Sequence, residues 1–289
     1  MSFDLLLRTA LPMIPALAVA MLVDLATVRR GLTPPGYYLP LRRSAMTALL
    51  ALLFYIGLFS PLAWLDQAGE MDPSALTTPE LFALHVVILV TLLLWFVLGY
   101  GSRETSQGGP LTELVRQCGL RSQDPATDLR VGVGGGLLLW GAVLAMMMAV
   151  AALLSLGKGE SLVPTEAPPL VVYMAGLPVL VRVGLSLSAG VVEEIFFRGF
   201  LQPRVGIAIS GLLFVLAHAS YDQPFMLLGV ALLSLGFARM TQLRGSVWPA
   251  IIAHTLFDAV QLLWLIPWQV AGAPQPAANA AAALLGMAP

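Results

Sequence analysis

Eight long apolar runs set the limits on what this 289-residue chain can fold into. They lie near residues 5–27, 45–65, 81–99, 131–156, 171–200, 205–220, 225–240 and 247–267. A helix needs about 20 apolar residues to cross roughly 30 Å of hydrocarbon. Inside lipid its backbone groups must be satisfied within the segment itself. Charged residues make up 11% of the chain, against about 25% in a soluble domain, and mean hydropathy is +0.86. The expected fold is therefore all-α, a polytopic membrane protein with about eight transmembrane helices. Residues 1–28 resemble a signal peptide in length. Asp4 precedes Arg8, however, and Arg29 and Arg30 follow the apolar run, so the segment reads as a first membrane helix.

Basic residues divide the loops into two classes. Arg29, Arg30, Arg42 and Arg43 lie between runs 1 and 2, and Arg103, Arg116, Arg121 and Arg130 between runs 3 and 4. Arg198 and Arg204 flank the turn between runs 5 and 6, and Arg239 and Arg244 the turn between runs 7 and 8. Twelve of the fifteen basic residues thus fall on one side, leaving Arg8, Lys158 and Arg182. The opposite loops carry Asp66, Glu70, Asp72, Glu160, Glu166 and Asp222. The positive-inside rule then predicts an inner (cytoplasmic) membrane protein with Arg-rich loops in the cytoplasm and both termini outside. The loop at 100–130 predicts a short amphipathic helix near Leu111–Cys118, and the Ala/Pro-rich tail predicts disorder. Net charge is −1, which gives no reason to expect a nucleic-acid partner. The single cysteine, Cys118, excludes an internal disulfide. Gly132, Gly134, Gly135 and Gly136 look like a phosphate loop but have no strand before them. Close helix packing is the expected role.

Ionisable groups in lipid-buried helices cost about 2.5–3.5 kcal/mol each on insertion scales. This chain places Glu193, Glu194, His218, His254 and Asp258 in such runs. Their depths agree. Pro203 to Gly206 marks a turn, with Glu193 about 12 residues before it and His218 about 12 after, so both lie roughly 18 Å from that end. His254 lies roughly 14 Å beyond the turn at Arg244–Ser246, and Asp258 is one helical turn further on the same face. A carboxylate in apolar surroundings suits a general base near neutral pH. An imidazole can orient water, bind a metal or donate to an oxyanion. Glu194 and Arg198 stand at i, i+4, the spacing of a bracing ion pair.

Three motifs in order carry a family resemblance. Glu193-Glu194-x-x-x-Arg198, Phe214-x-x-x-His218 and His254-x-x-x-Asp258 resemble the series of the CPBP (Abi) family. That family includes the type II CAAX prenyl endopeptidases and bacteriocin-processing or immunity proteins. The resemblance covers about residues 170–268. It implies that the last four helices form a catalytic bundle, that Glu193 and His218 activate water, and that His254 and residue 258 support the oxyanion. Glu194, Arg198 and Phe214 would then be supporting residues. The family commonly has Asn at the last position, where this chain has Asp258. An amide donates a hydrogen bond and an ionised carboxylate does not. The Glu193-to-His218 spacing is also short for the family and predicts a tight turn.

The expected organisation is an N-terminal membrane region over 1–157, a CPBP-like core over 158–268 and a tail over 269–289. The expected activity is intramembrane cleavage of a membrane-anchored protein or peptide. The alternative is a non-catalytic immunity, scaffold or transport protein. Zinc is open as a cofactor, with Glu193, His218 and His254 as its ligands if present. A rhomboid-like Gly184-Leu-Ser186 offers a weaker serine reading, with His254 as partner. His85 reads as a lone core histidine, Arg182 as a structural cation, and Phe196 and Phe197 as packing residues.

Overall fold

The computed structural model describes residues 3–64, 76–101, 108–156, 169–219 and 224–270. The acidic loop residues from Asp66 to Asp72, together with Arg103, Lys158, Glu160, Glu166, Asp222 and the tail beyond 270, lie outside them. The described residues form helices and no strand. Among the described residues seven helical runs are long and apolar enough to cross a membrane: Leu7–Arg29, Pro40–Ala63, Ala83–Tyr100, Pro125–Leu154, Val179–Ala217, Met226–Arg244 and Trp248–Trp268. The principal helices are α1 (Met13–Arg29), α2 (Pro40–Phe54), α3 (Ala83–Tyr100), α4 (Gly109–Gln117), α5 (Pro125–Leu156), α6 (Val179–Glu194), α7 (Gln202–Ala217), α8 (Pro224–Arg244) and α9 (Trp248–Val260). The amphipathic helix expected between runs 3 and 4 is α4.

The count differs from eight because one 39-residue run holds the fifth and sixth expected spans. At about 1.5 Å per residue that run is nearly twice the bilayer thickness. It bends at Gly206, with φ 83° and ψ 171°, a region of backbone space that is essentially reserved for glycine. The chain doubles back there, which brings His218 to within 3.8 Å of Glu193. Gly206→Ala is expected to cost about 1–3 kcal/mol through this strain alone. Thermal unfolding of the purified protein measures it, and an unchanged midpoint would contradict the assignment.

The basic loops meet at one end of the bundle. Val247 N–H donates to the Gly119 carbonyl (3.1 Å), Trp248 Nε1–H to the Leu120 carbonyl (2.9 Å), and Arg244 pairs with Asp128 (2.8 Å). Arg198 and Arg204 do not belong to this surface, which corrects their placement as loop-flanking charges: each is 1% exposed. Apolar neighbours and local acceptors draw them inward. The Arg204 guanidinium lies 3.9 Å from the Phe200 ring centroid and 4.8 Å from that of Trp95. It donates to the Phe200 carbonyl (2.7 Å) and to Gln117 Oε1 (3.0 Å), so it ties α4 to the turn. Cys118 is buried against Gly199, and burial pushes its thiol pKa up to about 12, so it is a poor nucleophile.

Small residues let the helices around the site approach closely. A Cβ on Gly132 would lie 2.7 Å from Ile252 Cβ, and one on Gly136 3.0 Å from Ala253 Cα. Gly132 and Gly136 therefore form the seam between α5 and α9, in the small-xxx-small pattern, while Gly135 faces Met240 of α8. A Cβ on Gly190 would lie 2.8 Å from Thr255 N and 3.0 Å from the Ile251 carbonyl, fixing α6 against α9 at the level of the glutamates. Three π-helical turns interrupt the spans, at Tyr55–Phe59, Ile195–Leu201 and Gln261–Leu265. Such turns often occur at functional sites, and each of these contributes lining residues to one cavity.

Candidate active site

That cavity has a volume of about 440 Å³. Its walls are largely apolar, with Phe196, Phe197, Phe214, Phe237 and Phe257 among them. His85, Glu193, His218, His254, Asp258 and Gln261 supply polar groups in the lining. Both halves of the chain contribute, since Leu53 and Phe54 of α2 and His85 of α3 line it together with residues of α6 to α9. All four residues expected to be catalytic thus stand in one cavity.

The two glutamates divide by exposure. The Glu193 side chain is 16% exposed and lines the cavity, whereas Glu194 is 0% exposed and does not. They are adjacent on a helix and therefore point about 100° apart. Glu193 meets two imidazoles. Its Oε1 lies 3.4 Å from His85 Nε2 and its Oε2 lies 3.8 Å from His218 Nε2. His218 Nδ1–H donates to the Phe214 carbonyl (2.8 Å). A carbonyl only accepts, so the proton on a neutral His218 ring sits on Nδ1 and Nε2 presents a lone pair toward Glu193. A water donating one proton to Glu193 Oε2 and the other to His218 Nε2 would be polarised for attack on a carbonyl carbon.

A second cluster stands behind the first. Glu194 Oε1 accepts from His254 Nδ1–H at 2.9 Å, and Glu194 Oε2 lies 3.2 Å from Arg198 Nε. Arg198 also donates to the Ser234 carbonyl (3.3 Å), and its guanidinium sits 4.2 Å from the Phe214 ring centroid. The expected Glu194–Arg198 brace is present, and Glu194 in addition holds His254. Asp258 reaches the other ring nitrogen, Nε2, at 3.5 Å. Phe214 lies beside His218, His254 and Arg198 together, with ring centroids 4.6 Å from His218 and 5.9 Å from His254. Phe237 stacks on His254 at 5.1 Å. No sequence signal separated Phe237 from ordinary packing residues.

His85 departs most from expectation, since it faces Glu193 within the cavity instead of sitting satisfied in the core. Arg182 donates to the Leu262 carbonyl (3.0 Å), a structural tie between α6 and the turn after α9. Ser186 is 1% exposed and donates to the Arg182 carbonyl (3.0 Å). It is not among the cavity residues, so the serine reading finds no support. The proposed zinc set does not fit either. Both ring nitrogens of His254 face carboxylates, at 2.9 and 3.5 Å. Among the described residues no three His, Cys, Asp or Glu side chains are placed to share an ion.

These motifs have a counterpart among known families. Residues 175–260 match the family model described as Type II CAAX prenyl endopeptidase Rce1-like. That segment, less than a third of the chain, is Rce1-like. It spans α6 to α9 and contains all three motifs, in agreement with the CPBP resemblance. Over that segment the chain is similar to the CAAX-type intramembrane proteases, and among the described residues seven helices long and apolar enough to cross a bilayer make it a membrane protein. No curated protein and no solved structure matches the chain. The matched segment does not reach α3, so His85 lies outside the Rce1-like domain.

Proposed function

We propose that the chain is an intramembrane endopeptidase in which Glu193 and His218 activate water against a peptide bond of a membrane-anchored protein or peptide. The observation that carries this reading is the Glu193–His218 pair at 3.8 Å in a cavity walled by apolar residues. Glu193 Oε2 takes a proton from water while the water oxygen adds to the carbonyl carbon. His254, held by Glu194 through Nδ1–H, supports the oxyanion in its doubly protonated form, through Nε2–H. The proton on Glu193 then passes to the leaving nitrogen as the C–N bond breaks. A substrate with an apolar anchor suits the walls. We place the protein in the cytoplasmic membrane with its Arg-rich end in the cytoplasm, and we assign the substrate to signal-like or C-terminal sorting peptides.

In the test, new peptide termini are measured in membranes that contain the wild-type, Glu193→Ala or His218→Ala protein. Both variants are expected to accumulate as folded protein and to produce none of the termini that the wild type produces. Cleavage by either folded variant would refute the mechanism.

Asp258 gives a separate prediction. As a carboxylate it can hold His254 but offers no proton to an oxyanion. Asp258→Asn keeps an acceptor and adds a donor, so the rate of cleavage is expected to hold or rise. Asp258→Leu removes the acceptor that holds His254 and is expected to lower the rate by about 10²-fold, the scale of a misplaced catalytic group. An inactive Asp258→Asn protein would instead mean that the carboxylate itself moves a proton.

A further inference from the structure

We propose that His85, on α3 and outside the Rce1-like domain, is a positioning residue that selects which oxygen of Glu193 acts as the base. The inference rests on Glu193 being that base. His85 is one of three histidines in the chain, and all three line the same cavity. Its Nε2 lies 3.4 Å from Glu193 Oε1. A carboxylate oxygen accepts, so the proton of the contact sits on His85 Nε2. His85 Nδ1 and Glu193 Oε2 are both buried and lack a hydrogen-bond partner among the described residues. Glu193 therefore has one oxygen occupied by an N–H from the N-terminal half and one left open toward His218 Nε2, 3.8 Å away.

This asymmetry has a chemical consequence. Without the N–H from α3 the carboxyl group can rotate about its last bond and present either oxygen, in several orientations, to the water. With it, Oε2 is fixed on the side where His218 can accept the other water proton. His85 exchanges no proton in the step. It holds the base in the geometry that makes attack productive, and the N-terminal helices thereby complete a site whose other parts lie in the Rce1-like domain.

Three substitutions separate this role from simple packing. Glutamine carries its amide nitrogen near the place of His85 Nε2. Asparagine carries it near the place of Nδ1, and leucine fills the space with no donor. In membranes holding each variant, the initial rate of formation of the wild-type-dependent peptide termini is measured, with Glu193→Gln as reference and thermal unfolding of each purified protein alongside. His85→Gln is expected within about threefold of wild type, and His85→Asn and His85→Leu about 10- to 100-fold slower, the scale of a misplaced catalytic group. Unfolding midpoints should agree across the series. Equal rates in all three variants, or equal losses that follow a fall in stability, would overturn the proposal while an inactive Glu193→Gln protein left the base assignment standing. A Glu193→Gln protein that still cleaves would overturn both.

Discussion

Replacing Glu193 by glutamine is expected to lower the cleavage rate by about 10²–10⁴-fold, the usual worth of a general base, and to leave the protein folded. The substitution keeps the shape of the side chain and an oxygen that can accept from His85 Nε2, 3.4 Å away in the native protein. It removes only the ability to take a proton from water. Substrate affinity should change little, because the apolar walls of the cavity do not depend on this group. A loss confined to the turnover rate is the signature of an interaction made in the transition state alone. Glu193→Asp tests the geometry further, since it retains the charge and withdraws it by one methylene from His218.

The second large effect concerns stability. Glu194 and Arg198 are 0% and 1% exposed and 3.2 Å apart. Removing one member of a buried pair strands the other charge and typically costs about 3–5 kcal/mol. Glu194→Ala and Arg198→Ala are each expected to lower the unfolding midpoint sharply, or to prevent accumulation in the membrane. The double substitution Glu194→Gln with Arg198→Met leaves no stranded charge and is expected to regain much of that stability. It should still cleave slowly, because a glutamine holds His254 Nδ1–H more weakly than the carboxylate now 2.9 Å away. Recovery of full activity along with stability would show that the second cluster is a brace and nothing more.

Length and apolar composition alone revealed the helical architecture, because a membrane span must be both long and apolar. The count of spans was less visible. Runs 5 and 6 join into one 39-residue helical run whose bend is a single glycine with φ 83° and ψ 171°, and only a folded backbone displays that angle. Depth arithmetic located Glu193, His218, His254 and Asp258 because all four lie on spans that begin or end at recognisable turns. It missed His85 because that residue was measured against no partner. His85 lies near the start of α3, at the end of the bundle away from the basic loops. Counted from Tyr100 at the basic end, it lies roughly 22 Å deep, within about one helical turn of the depth of Glu193. The buried state of Arg198 and Arg204 was hidden for another reason. In sequence they are loop-flanking cations, and only the neighbouring Phe214 and Phe200 rings and the local carbonyl acceptors show why they turn inward.

The division of the glutamate pair is the centre of this account, with Glu193 facing the cavity and Glu194 serving His254 and Arg198 behind it. The most direct test compares all peptide termini in membranes from otherwise identical cells that carry either the wild-type protein or Glu193→Gln at equal abundance. The account predicts a set of termini, generated in or beside membrane-anchored segments, that forms with the wild type and is absent with Glu193→Gln. Identical sets of termini from the two membranes would contradict it.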